Sequence, residues 1–504
     1  TGKEDLMSDK LQRKYGLFTA ICMVIGIVIG SGVFFKAQTI LIKTSGNMPM
    51  AVIAWIIGGA IMLVNLMSFA FMSQKYERVN GMVDYAEATV GKSYGYYMGW
   101  FIGTIYFPSM TGVLAWLTAR YTLEFIVSAN PNFPLTIAAS QGGCVVGPEC
   151  MALTLFYMCA IYAMNVLSPK LAGKFQTSTT VIKLIPLGLM AVVGVIYGIM
   201  NGGLANNFSY TYQAVEGGAS SGSVLFAAVC ATSFAYEGWI IATSINAEIK
   251  NSKRNLPIAL VVGSLIVAAV YILYYVGLSG VVSNAELMAS GEKGARLAFE
   301  KLFGSVGGVG LFVLVIISCL GTLNGLMLGV SRCMYSIAAR DNGPRPELMS
   351  QVDRQTNMPV NSAVIGLFVS MLWMVFFYGA NLAETPWFGI VSFDSSELPI
   401  ITIYAMYIPI FLMMMIKEKE LGFVKRFVLP TIALAACGFM VFAAVYAHGI
   451  TPYQNAKANG EFSHKGDKAI DISGNDTGIE SLKAPFTGVI KRIYTNTNTV
   501  WLES

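Results

Sequence analysis

The chain has 504 residues, 55% of them hydrophobic and only 12% charged, with a formal net charge of +5 and a mean hydropathy of +0.61. Ordinary soluble domains carry charge on about a quarter of their residues, so this composition excludes one and implies a polytopic membrane protein. A positive excess in such a chain reports cytoplasmic loops rich in Lys and Arg, and no nucleic-acid partner is expected.

Residues 1–14 are charged, and the apolar run after them is too long for the core of a cleavable signal peptide. The chain opens on Thr1 rather than Met, which leads to the expectation of a fragment or a trimmed chain. Apolar runs of roughly 20 residues, the length that crosses a bilayer, fall near 17–42, 51–73, 94–126, 150–167, 177–200, 222–247, 257–282, 306–338, 360–380, 387–416 and 426–447. That is about eleven spans. Lys and Arg cluster before the first run (Lys10, Arg13, Lys14) and after the second, fourth, sixth, eighth and tenth; the alternate loops at 127–149, 201–221 and 381–386 contain neither. The positive-inside rule therefore predicts a cytoplasmic N-terminus. The loop at 283–303, with Lys293, Arg296 and Lys301, is the exception and reads as a short amphipathic outer helix.

The first run contains Gly26, then Gly30-Ser31-Gly32-Val33. Each glycine costs a helix about 1 kcal/mol against alanine, so a continuous helix is disfavoured here. Opened backbone inside a membrane is tolerated only where protein or a watery cavity satisfies it, which suggests a ligand site. Close helix packing through small residues is the competing reading, and the local sequence leaves both open. Farther along, Cys144 and Cys150 share a predicted outer loop, where a disulfide is an open option.

The sixth run holds Phe234-Ala235-Tyr236-Glu237-Gly238-Trp239. An ionisable group at mid-membrane is a functional hypothesis by default; a structural carboxylate paired inside the bundle is the alternative. Breaks at Gly32 and Gly238, in the first and sixth runs, are the pointer to two inverted five-span repeats with a site at the midplane. Half-helix N-termini there offer N–H groups to an anion, while opened carbonyls accept from a cation. A zwitterionic amino acid matches both.

Gly30-Ser31-Gly32-Val33-Phe34 resembles the Gly-Ser-Gly-Ile-Phe motif of the amino acid, polyamine and organocation transporter superfamily, in its branch of bacterial amino acid permeases and L-type transporters. The Phe234–Trp239 stretch is similar to that branch's span-six signature. Glu248 through Asn255-Leu256-Pro257 resembles the run that follows it, with Ser252 where the family usually has proline. Gly91 through Trp100, Lys183-Leu184-Ile185-Pro186, Asn324 through Arg332 and Arg340-Asp341-Asn342-Gly343 extend the likeness over roughly residues 13–447.

The resemblance implies an all-α membrane protein with a five-plus-five inverted-repeat fold and broken helices one and six. It implies that the backbone around Gly30, Ser31 and Gly32 binds a substrate carboxylate, and that carbonyls near Ile27, Phe234 and Tyr236 receive the ammonium. Side-chain selectivity would come from Tyr236, Glu237 and Gly238 and from spans three, eight and ten. Lys183 matches the intramembrane lysine that stands in for sodium in sodium-independent relatives, so no sodium is expected; snorkelling to the cytoplasmic interface is its alternative role. Ionised, Glu237 would favour a substrate with a second positive charge. Protonated, it would bond a neutral side chain or carry a coupling proton. Glu237 and Lys183 are thus the coupling candidates, and no catalytic residue, cofactor or metal is implied.

The organisation expected is a cytoplasmic segment 1–14, a transporter domain 15–448 and an extracytoplasmic polar tail 449–504 with β character. Around His464, Asp471 and Ala484–Lys491 the tail resembles the start of a lysostaphin-type zinc metallopeptidase. The later His-x-His of that family is missing and the chain holds only 2 His, so no enzyme is expected. The tail is then a truncated fusion, a degenerate wall-facing module or a sequence-assembly artefact. The leading function is a secondary active transporter of L-amino acids in the cell membrane, sodium-independent, working by alternating access through exchange or proton coupling. A non-transporting amino acid sensor and a membrane-anchored envelope module are the alternatives.

Overall fold

The computed structural model describes residues 7–8, 11–76, 79–130, 147–209, 221–290, 293–383, 387–446 and 450, and five strands within 462–503. From the N-terminus, α1 (Leu17–Val28) and α2 (Gly32–Lys43) precede α3 (Met48–Lys75) and α4 (Gly81–Thr89). Next come α5 (Lys92–Ala129), α6 (Pro148–Leu167) and α7 (Pro169–Met200). The interrupted pair α8 (Ser221–Tyr236) and α9 (Ile241–Ser244) follows, then α10 (Ser252–Val281), the short α11 (Asn284–Ala289) and α12 (Gly294–Ala338). The helical part closes with α13 (Val360–Leu382), α14 (Leu398–Lys417) and α15 (Val424–Val445). Among the described residues, nine helices are long and apolar enough to cross a membrane; the broken pairs α1–α2 and α8–α9 bring the helical segments to the number expected.

Three boundaries differ from the sequence expectation. Pro169, at the first position of α7, restarts the helix directly after Ser168, as proline's fixed φ favours. Lys170 and Lys174 therefore belong to the first turns of α7 and not to a loop. Helix α14 starts at Leu398 rather than near 387, because Gly389 sits at φ +55° and the polar run Ser392 to Glu397 interposes a turn. The expected amphipathic segment is helical from Gly294, but it joins the next span through one kink at Gly304, with φ 72° and ψ −173°.

The helices sort into two packed groups. Helices α5, α6, α12 and α13 pack on one another, while α1, α2, α3, α8 and α10 form the second set; α7 bridges the two, and α15 packs on α3 and α8. Close approach needs small residues. A Cβ at Gly277 of α10 would lie 2.0 Å from the Met190 carbonyl oxygen of α7, so only glycine permits that contact. Outward faces stay apolar, as on α7 with Ile185, Val192, Ile196 and Ile199 all exposed; that surface suits lipid and not water.

In the tail, Phe462–Ser463, Gly488–Tyr494 and Thr499–Glu503 form one antiparallel sheet, and Lys468–Asp471 pairs with Ser481–Lys483. His464 lies outside the described residues, as do 484–487, so the peptidase-like stretch does too in large part. Cys144, one half of the expected disulfide, also lies outside them.

Candidate functional site

The two helix breaks meet at Ile27. After Val28 the backbone leaves helical geometry at Ile29 (φ −75°, ψ 94°) and re-enters it at Gly32. In the second break Gly238 takes φ +102°, and a Cβ built there would lie 3.1 Å from Ile27 Cγ2 and 3.5 Å from Ile27 O. Glycine is required on both counts, since a side chain would be strained and would cover the carbonyl.

A helix end strands carbonyls that need other donors, and nearly all those at the α1 terminus have one. Ile25 O accepts from the Ile29 N–H at 2.9 Å. Gly26 O accepts from Lys183 Nζ at 2.7 Å and from Thr322 Oγ1 at 3.2 Å. Val28 O accepts from the Tyr271 hydroxyl at 3.0 Å. Ile29 O takes Lys183 Nζ at 2.5 Å and Thr322 Oγ1 at 3.0 Å, and Gly30 O takes Ser318 Oγ at 3.0 Å. Ile27 O has no hydrogen-bond donor among the described residues. On the donor side, the N–H groups of Gly30, Ser31 and Gly32 meet no backbone acceptor there. One break thus offers an open acceptor beside a run of open donors.

These groups border a cavity between the two breaks. Ile27, Gly30, Ser31 and Gly32 line it from the first break, and Glu237 and Gly238 from the second. Lys183 is fully buried one layer behind, with Ser318 O at 3.0 Å and Thr322 Oγ1 at 3.3 Å as further acceptors. Its position deep in α7, tied to the α1 break, removes the snorkelling alternative. Tyr236 turns its ring away from the cavity; its hydroxyl donates to Trp55 O at 3.0 Å and its ring meets Trp55 and Tyr271. The backbone of Phe234 lies in α8, and its side chain is outside the described set.

The remaining wall comes from Tyr106, Met110 and Leu114 of α5 and Thr322 and Leu326 of α12, none of them nominated from sequence. Tyr106 donates its hydroxyl to Glu237 Oε1, and the Tyr404 hydroxyl and the Gly238 N–H also face this buried carboxylate. The signal for Tyr106 was Pro108. A proline inside a helix removes one backbone donor, and here the turn Ile102–Tyr106 widens into a π-bulge, a feature frequent at functional sites. The Thr104 carbonyl freed by Pro108 is taken by Trp373 Nε1 at 2.5 Å. Among the described residues no three His, Cys, Asp or Glu side chains gather as metal ligands.

Ion pairs link helices at two levels of the bundle. Near the α2 end, Lys36 pairs with Glu397 at 2.8 Å. At the other end Glu248, fully buried, pairs with Arg332 of α12 and with Lys14 at 2.6 Å, and its carbonyl accepts from the backbone N–H groups of Lys14 and Tyr15.

Comparison with known proteins agrees with this architecture. The family model described as amino acid permease matches residues 15–460. The serine/threonine exchanger SteT of Bacillus subtilis is 30% identical over 416 residues, covering 82% of this chain and 86% of that protein. The human cystine/glutamate transporter is 25% identical over 375 residues, or 74% of this chain and 69% of its own. The mouse b(0,+)-type amino acid transporter 1 is 24% identical over 378 residues, 74% and 72% of the two chains. The crystal structure of MhsT in complex with L-phenylalanine superposes with a TM-score of 0.59 at 14% identity, over 87% of this chain and 99% of that one, which shows a shared fold. The chain therefore belongs to the amino acid permease family of the amino acid, polyamine and organocation superfamily, whose members are multi-pass membrane transporters and not enzymes.

Proposed function

We propose that the protein exchanges L-amino acids across the cell membrane by alternating access, without sodium. The observation that carries the reading is the pairing of open backbone groups at the α1–α2 break. The N–H groups of Ser31 and Gly32, with that of Gly30, bind the α-carboxylate, and the α2 terminus adds its partial positive charge. The α-ammonium is received by Ile27 O, with carbonyls near Phe234 and Tyr236 as its other acceptors. The substrate side chain lies toward Glu237, Tyr106 and Leu326, whose mix of one carboxylate, one phenol and apolar walls suits small polar or cationic groups.

Lys183 supports sodium independence. Its ammonium contacts the oxygens of Gly26, Ile29, Ser318 and Thr322, and so supplies a fixed positive charge to carbonyls that would otherwise need a metal cation. The likeness to a serine/threonine exchanger supports exchange as the mode, with proton-coupled uptake through Glu237 as the competing one. The helix set α1, α2, α8 and α9 moves against α5, α6, α12 and α13, breaking Lys36–Glu397 when one side opens and the Lys14–Glu248–Arg332 cluster when the other does. We further propose a cytoplasmic N-terminus with residues 1–14 inside and the tail 449–504 on the opposite side.

The test is flux of a labelled amino acid panel into proteoliposomes, with and without internal amino acid, in sodium and sodium-free buffer and at two pH values. Stimulation by internal amino acid in both buffers is expected. Stereospecific binding with no flux would make the protein a sensor and overturn the transport reading.

A further inference from the structure

A second cavity lies beyond the first, in line with it along three elements. Phe34 in its wall is two residues past Gly32 on α2; Arg120 and Tyr121 follow Leu114 on α5; Val315 precedes Thr322 on α12. At about 1.5 Å rise per residue these offsets place its wall roughly 3 to 10 Å from the central site, toward the α2 end of the bundle. The two cavities stack along one route.

Its charge is unlike that of the central site. Arg120, Lys293 and Arg296 line it against a single acid, Glu124. Arg120 is 7% exposed, is joined through Nε to Glu124 at 2.9 Å and has its guanidinium carbon 5.5 Å from the Trp116 ring. Arg296 is joined through Nε to Glu300 at 2.6 Å and lies against the Phe312 ring at 5.3 Å. Each guanidinium is thus oriented in advance by a carboxylate one turn away and by an aromatic face. A guanidinium has five donors, and among the described residues no hydrogen bond uses the terminal nitrogens of Arg296. Lys293 has no ion pair among the described residues.

We infer that this second cavity is a waiting site that captures the carboxylate of an amino acid before it descends to the helix break. The inference rests on the amino-acid reading of the central site. A planar carboxylate fits a guanidinium fork with two parallel bonds, and cationic walls in a low-dielectric mouth raise the local concentration of an anionic group. Glu124, paired with Arg120, limits this attraction.

The experiment is sided transport by the full chain in proteoliposomes, with the double variant Lys293→Gln, Arg296→Gln. For substrate supplied at the α2 end, KM is expected to rise about fivefold or more and to lose its dependence on salt, as follows when steering charges are removed. The maximal rate and KM from the opposite end should be unchanged, and Arg296→Lys with Lys293 retained should restore most of the effect. An unchanged KM, or equal change from both sides with a lowered maximal rate, overturns the waiting site. Wild-type flux serves as the separate control: if it is absent, the central reading fails and not this one alone. In Gly32→Leu, low-affinity binding of labelled amino acid that disappears on adding the double substitution is expected; its absence while wild-type transport stands would overturn the inference only.

Discussion

Gly238→Ala separates the ammonium contact from the rest of the site. At φ +102° an alanine pays roughly 1–2 kcal/mol of backbone strain, by analogy with the left-handed helix. Its Cβ would sit 3.1 Å from Ile27 Cγ2 and 3.5 Å from Ile27 O, over a carbonyl of the break that has no donor among the described residues. A hydrogen bond to a charged group contributes about 1.5–3 kcal/mol, which corresponds to about a 10- to 150-fold loss of amino-acid affinity. The assay is equilibrium binding to the purified protein of an L-amino acid and of the same molecule lacking the amino group. The loss should fall on the amino acid and spare the analogue, while the melting temperature drops by a few degrees at most. Unchanged affinity in a folded variant, or equal loss for both ligands, would refute the assignment of Ile27 O.

Three further outcomes follow from neighbouring groups. Lys183→Ala leaves Gly26 O to the Thr322 hydroxyl and Ile29 O to the hydroxyls of Thr322 and Ser318, at about 1–3 kcal/mol for each buried group left short of a partner; its melting temperature should fall and be partly restored by sodium but not by choline, whereas wild type should show no difference. Glu237→Gln should weaken transport of lysine or arginine more than that of alanine, and equal loss would make Glu237 structural. On α11, the Lys301 ammonium first and then the Ser283 backbone and hydroxyl hold the Glu286 carboxyl down to about 2 from its ordinary 4.5. Because the folded value is the lower one, this stabilisation is complete above about pH 4.5 and is lost as the pH falls toward 2. The melting difference between wild type and Glu286→Gln should therefore be flat from pH 8 to 5 and shrink below that, a small effect for a half-exposed pair.

Both helix breaks could be read from residues, because glycines and an ionisable side chain in an apolar run conflict with a plain transmembrane helix. Lys183 stood out for the same reason. Tyr106 and Thr322 did not, since hydroxyls are common in apolar helices and most of them serve their own backbone: Thr111, Thr118 and Thr154 each donate to the carbonyl four residues back. Thr322 instead reaches across to Gly26 and Ile29, a difference set by how α12 is rotated against α1 and invisible in composition. The direction of Tyr236 is likewise a packing outcome, fixed by Trp55 and Tyr271. Span edges were least legible where proline or a glycine at positive φ moved a helix start, as at Pro169 and Gly389.

The central claim is that the α1–α2 break holds the substrate, and Gly32→Leu tests it most directly. Wild-type protein should bind an L-amino acid stereospecifically, and the variant should lose that high-affinity binding while keeping the wild-type melting profile. Undiminished binding by a folded Gly32→Leu protein would contradict the account.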